Sequence, residues 1–203
     1  MKKNLFLTVT AATMILVVSC GQKSSAVKVE AVDLVTVEMH PKGTEANDEN
    51  TNRMESYRKV LLSEDQYFDV GLQKNMYLKD YWIYFSENIY GGPMRIDFTV
   101  VDMDGDGVSE VVIMYDPGEV KVFRVEGGTV YGYDFSYRGM MNLKKDGTFY
   151  WSNDADASGI GRQTFSGVHT ETITLTDDGS QDNKEDVDWL ELTGENIELR
   201  IKN

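Results

Sequence analysis

The chain has 203 residues, with 20 Lys and Arg against 34 Asp and Glu, a formal charge of −14 at neutral pH, and 41% apolar and 11% aromatic residues. That length supports one ordinary domain with a small appendage, the apolar share excludes a wholly disordered chain, and an acidic balance without a basic stripe excludes a nucleic-acid binder. A single Cys rules out an internal disulfide and a cluster of thiolate zinc ligands, and two distant His leave transition-metal chemistry poorly supplied.

Lys2 and Lys3 open the chain, and Leu5 to Val18 is an apolar run interrupted by Thr8, Thr10 and Thr13 before Val17-Val18-Ser19-Cys20. A charged start, a short apolar middle and a small residue before the cleavage point are the parts of an export signal, and the run falls short of the roughly 20 residues of a spanning helix. The last four of these residues resemble the lipobox of bacterial lipoproteins. The resemblance implies cleavage after residue 19 and a lipid anchor on Cys20, with residues 1–19 as signal peptide and the extracytoplasmic face of the cell membrane as location. Loss of Lys2 and Lys3 would leave 18 basic residues against 34 acidic, or −16. Such a charge suits a domain held off an anionic membrane by a tether and exposed to a medium with abundant divalent cations.

Residues 20–50 read as tether, with an edge strand over Val27 to Met39 and a Gly-, Asn- and acid-rich loop over His40 to Asn52; residues 51–203 read as one globular domain. Met54, Tyr57, Val60 and Leu61 have helical spacing, with Asn50, Thr51 or Asn52 to cap the helix. Leu78 to Phe85 fits a helix packed on a sheet or a buried strand, which periodicity alone does not separate, and the helix is the reading taken. After Gly91-Gly92-Pro93 come short β-branched and aromatic runs, Ile96 to Val101, Glu110 to Tyr115, Val120 to Val125 and Thr129 to Phe135, which predict an antiparallel meander. A hairpin at Lys145 to Thr148 and a strand over Val168 to Thr176 follow. Asp177 to Asp188 reads as a solvated loop. Ile197, Leu199 and Ile201 alternate as a strand would, after Thr193 as cap, with a short helix as the alternative. The fold class is α+β with β dominant: an antiparallel meander preceded by one or two helices, with a cation loop joining two of its strands.

The sharpest chemistry lies in Asp102-Met103-Asp104-Gly105-Asp106-Gly107-Val108-Ser109-Glu110. Carboxylates this crowded repel one another unless something positive sits between them. Calcium accepts six to eight oxygens at flexible distances, and ligands at the first, third, fifth, seventh and ninth places of a loop can wrap it. Those places are Asp102, Asp104, Asp106, the Val108 carbonyl and Glu110, with Gly107 at the turn in sixth place. The EF-hand's twelfth ligand is missing, because Ile113 stands there, and strands rather than helices flank the loop. At an affinity of about 0.1 mM and about 1 mM calcium, binding would add roughly 1.4 kcal/mol of stability. Asp154-Ala155-Asp156-Ala157-Ser158-Gly159 copies the first six places but puts Arg162 at the ninth, and reads as a polar turn.

The strand–loop–strand arrangement resembles the FG-GAP type loops of integrin-like propellers over about twenty residues, and one copy cannot make a propeller. From about Phe98 to Phe165 the chain resembles clostridial-type secreted and lipid-anchored proteins of uncharacterised function. These share the Asp-x-Asp-Gly-Asp-Gly-x-x-Glu loop, a Tyr-Arg pair as at Tyr137-Arg138 and a Lys-Asp-Gly-Thr turn as at Lys145 to Thr148. The resemblance implies fold and location and no enzyme activity. His40 and His169 are isolated, and no nucleophile elbow or HExxH motif is present. The aromatic group Tyr77, Tyr81, Trp82, Tyr84, Phe85 and Tyr90 fits a core better than a sugar platform. The expectation is a lipid-anchored, calcium-stabilised surface domain that binds an extracellular protein or glycan; the alternative is a hydrolase acting on glycans or cell wall.

Overall fold

The computed structural model describes residues 42–86, 95–115, 118–136, 138–153, 157–177 and 183–201, the side chains of 42–47 and 85 excepted. The export signal, Cys20, the strand expected over Val27 to Met39 and the Asp154–Asp156 turn lie outside these residues.

The described chain runs α1 (Lys42–Leu61), β1 (Tyr67–Asp69), β2 (Lys74–Met76), α2 (Leu78–Phe85), β3 (Ile96–Val101), β4 (Glu110–Tyr115), β5 (Glu119–Glu126), β6 (Thr129–Phe135), β7 (Thr148–Ser152), β8 (Ser158–Ser166), β9 (His169–Thr176), β10 (Leu190–Glu191) and α3 (Gly194–Ile201). Strand outweighs helix and the sheets are antiparallel but for one pairing, so the fold is α+β with β dominant. One sheet has seven strands in the order β10-β3-β4-β5-β6-β1-β2, and a second has three in the order β7-β8-β9. The expected meander is β3 to β6, paired in sequence order through antiparallel ladders.

β4 and β5 are central, and alternate side chains point to opposite faces of a strand. Val111, Ile113, Tyr115 and Phe123 therefore join a core with Tyr57, Val60 and Leu61 of α1, Leu78 and Tyr81 of α2 and Ile197 and Ile201 of α3. Val112, Val120 and Val122 face the other way and pack with Met103, Met140, Leu143 and Phe149. Both faces of the sheet are covered, which is why these two strands read as nearly unbroken apolar runs. Burying a side chain such as Phe98 or Phe123 contributes about 1.5–3 kcal/mol, so the two cores are the main source of stability.

Two expectations need correction. The loop placed over His40 to Asn52 is helix from Lys42 onward. Residues 48–52 of this helix are solvent-exposed, so no apolar stripe announced that stretch. The last segment is α3, a helix, because Ile197 and Ile201, four residues apart, are the buried pair while Leu199 is 59% exposed. Thr193 does cap it, its Oγ1 accepting the Asn196 N–H at 3.2 Å. α2 is the helix expected, and the Oγ of Ser63 accepts the Lys79 N–H in its first turn at 2.9 Å.

Candidate functional site

The acidic loop joins β3 to β4, two strands paired in register from Ile96↔Tyr115 to Val101↔Glu110. The ladder thus brings the first and ninth loop residues together. Within the loop each aspartate accepts hydrogen bonds from backbone N–H groups two to five residues further along. Asp102 accepts the Gly105 and Gly107 N–H groups at 2.8 and 2.9 Å, Asp104 that of Asp106 at 3.1 Å, and Asp106 that of Val108 at 2.7 Å. Gly107 has φ +84°, the left-handed conformation that the sixth place demands. One oxygen from each of Asp102, Asp104 and Asp106 lies within 4.8 Å of the others. These three expected ligands converge.

Glu110 is brought close but turned differently. It is fully buried, and its Oε2 accepts the Met103 N–H at 2.8 Å. Burial, reinforced by the charges of Asp104 and Asp106, pushes its pKa up to about 8 against the pull of the Met103 N–H and Arg124. Burial likewise raises Asp104. In Asp106 the same penalty is outweighed by the hydrogen bond from Arg124 and the backbone N–H of Val108, and its pKa falls. Val108 sits half-buried where the seventh place requires it.

Sequence reasoning missed the cation that already stands among these groups. Arg124, on β5, donates from Nη1 to Asp104 and Glu110 and from Nη2 to Asp106, each at 2.7 Å. Its guanidinium carbon lies 5.6 Å from the centre of the Phe165 ring on β8. The buried Nε of Arg124 has no hydrogen-bond partner among the described residues, so they do not hold the guanidinium to its full capacity. A second guanidinium, Arg162, donates to the Asp146 carbonyl at 2.9 Å and passes over the loop at Gly105. Four acidic side chains, Asp102, Asp104, Asp106 and Glu110, thus face one arginine bonded to three of them and one bonded elsewhere. Negative charge stays in excess.

Two supports hold the loop. The Tyr57 hydroxyl, from α1, donates to the Ser109 carbonyl at 3.2 Å and accepts the Val125 N–H at 3.1 Å. The Lys145–Thr148 turn packs so closely that a Cβ added at Gly147, φ +78°, would collide with the Asp102 carbonyl oxygen. The turn that the sequence marked as a hairpin is therefore a brace for the loop.

A second ionic group lies on the opposite face of the sheet. Lys121 of β5 is fully buried and pairs with buried Asp69 at 2.9 Å and with Asp134 at 2.8 Å. Its Nζ is 4.2 Å from the Tyr81 ring centre and 5.2 Å from that of Tyr67. The Tyr81 hydroxyl donates to Asp134 at 2.8 Å and shares a 2.7 Å hydrogen bond with Tyr115. Burial, with Asp134 and Tyr115 adding to it, drives the Tyr81 phenol far above its ordinary range. Of the aromatic group, Tyr81 is buried as a core residue, whereas Tyr84 is 58% exposed.

No family model, curated protein or solved structure matches this chain. Its chemistry therefore rests on its own side chains.

Proposed function

We propose that this chain is a lipid-anchored domain on the extracytoplasmic side of the cell membrane, that its 102–110 loop binds calcium as a structural clamp, and that its role is to bind an extracellular partner rather than to catalyse. The observation that carries the calcium reading is the convergence of the Asp102, Asp104 and Asp106 oxygens within 4.8 Å, in a loop with surplus negative charge. These three and the Val108 carbonyl would hold the ion, with Glu110 closing the site from its buried side. Crowded carboxylates destabilise a loop by mutual repulsion, and a bound divalent ion supplies the charge that removes it. The donor set is all oxygen, which suits calcium and not zinc.

One observation favours a second reading. Arg124 already reaches three of the four carboxylates, so the loop can also stand as a salt-bridged turn with the guanidinium in the ion's place. Calorimetric titration of the domain with calcium separates the two. The calcium reading predicts saturable heat from the wild type and none from Asp104→Asn/Glu110→Gln; equal traces from both proteins defeat it. For the anchor, Cys20→Ser is expected to release the protein into the medium, and retention on the membrane would count against lipidation.

A further inference from the structure

On the helix face of the sheet, away from the acidic loop, a cavity of about 670 Å³ opens between α2, the β1–β2 hairpin and the ends of β4, β5 and β6. That volume suits a small organic molecule. Two of its lining residues, Tyr81 and Asp134, already hold a primary ammonium: Lys121 Nζ lies over the Tyr81 ring and between the Asp134 and Asp69 carboxylates. The lining repeats the same kinds of group. Asp80 and Glu119 line it, and neither carboxylate forms a salt bridge with a Lys or Arg among the described residues. Tyr84, one turn along α2 from Asp80, is 58% exposed, and Leu72, also in the lining, is 54% exposed. Among the described residues Lys74 is the one basic group in the lining, and it forms no salt bridge with either acid.

This combination selects by charge. An anion would meet two unneutralised carboxylates, and a neutral ligand would desolvate them without giving them a partner. A cation on an apolar body satisfies the carboxylates, lies against a tyrosine ring as Lys121 does, and covers the exposed Leu72 and Tyr84 surface.

We propose that this cavity binds a small organic ammonium ion bearing an apolar or aromatic group, with Asp80 and Glu119 as the charge partners and Tyr84 as the ring. The inference deepens the binding role proposed above and rests on it for the existence of a ligand, while the site shares no residue with the calcium loop.

The test uses benzyltrimethylammonium chloride as probe and benzyl alcohol as its neutral counterpart, titrated calorimetrically into the domain in low salt, with calcium titrated in a parallel run. Saturable binding of the ammonium with a Kd of about 1 mM is expected, with the alcohol at least about tenfold weaker. Asp80→Asn/Glu119→Gln should weaken the ammonium about tenfold and leave the alcohol unchanged, and Tyr84→Ala should weaken both. These side chains are at the surface, and an unchanged circular dichroism melt verifies that the variants fold. Equal binding of probe and alcohol, no saturation below about 20 mM, or an unaffected double variant would overturn the inference. Calcium heat without ammonium heat sinks this inference and leaves the calcium reading standing; ammonium heat without calcium heat does the reverse.

Discussion

Lys121 and Arg124 sit three residues apart on β5 and therefore point to opposite faces of one sheet. Each is ringed by carboxylates, but the two rings are not alike. Lys121 is wholly buried and pairs with fully buried Asp69, both of whose oxygens are hydrogen-bonded by Lys121, Tyr67 and the Leu72 N–H, and with partly exposed Asp134, whose Oδ1 also accepts from Tyr81. Arg124 faces three acids, two of them on a partly exposed loop with Asp102 beside them, and its Nε has no partner among the described residues. The lesson is one of charge balance under burial. Where water is excluded, an ion pair persists only if nearly neutral and fully hydrogen-bonded, whereas beside solvent a surplus of charge can stand and attract a mobile counter-ion.

The comparison predicts its largest effect on the buried side. Lys121→Met leaves Asp69 uncompensated in the core and should cost about 3–5 kcal/mol in urea unfolding, and adding Asp69→Asn, which keeps an acceptor for the Leu72 N–H, should recover part of it. A loss under 1 kcal/mol would mean that the pair is hydrated, and the contrast with Arg124 would fail. On the loop side Gly147→Ala forces a Cβ into the Asp102 carbonyl from a strained φ; a loss of about 1–3 kcal/mol with weaker calcium uptake is expected in a thermal melt run with and without the ion. The smallest effect is on acidity. Burial pushes Asp146 up, but the hydrogen bonds from Lys184 and Thr148 outweigh it and hold its pKa below the ordinary 3.8. The stability it lends is present above about pH 4 and fades as the pH falls through that region. Asp146→Asn should flatten that acid limb in a pH series of melts, and an unchanged limb would remove the turn from the account.

The meander was legible because its strands are long, β-branched and bounded by Gly and Asp, and the loop because Asp at alternate places with Gly107 is rarely a plain turn. Other parts were hidden for definite reasons. β1 and β2 are three residues each, too short for periodicity, and β8 carries Gly159, Gly161, Arg162 and Gln163, which read as loop. α1 begins in a polar stretch, and α3 mimics a strand because Leu199 falls between two buried isoleucines. Arg124 and Lys121 did leave a trace, as two bases in the otherwise apolar run Val120 to Val125, but sequence spacing cannot say which distant acids they meet. Asp69 and Asp134 lie 52 residues below and 13 above Lys121 and are joined to it only by the pairing of β1 with β6 and of β6 with β5.

The most direct test of the account is a side-by-side calcium titration of the wild type and Arg124→Gln. If the guanidinium and the ion share Asp104, Asp106 and Glu110, both proteins bind calcium and the variant binds it about tenfold more tightly, with a lower melting point before the ion is added and a larger rise after it. Silence from both proteins would contradict the claim that surplus charge on this face is there to be met by a metal ion.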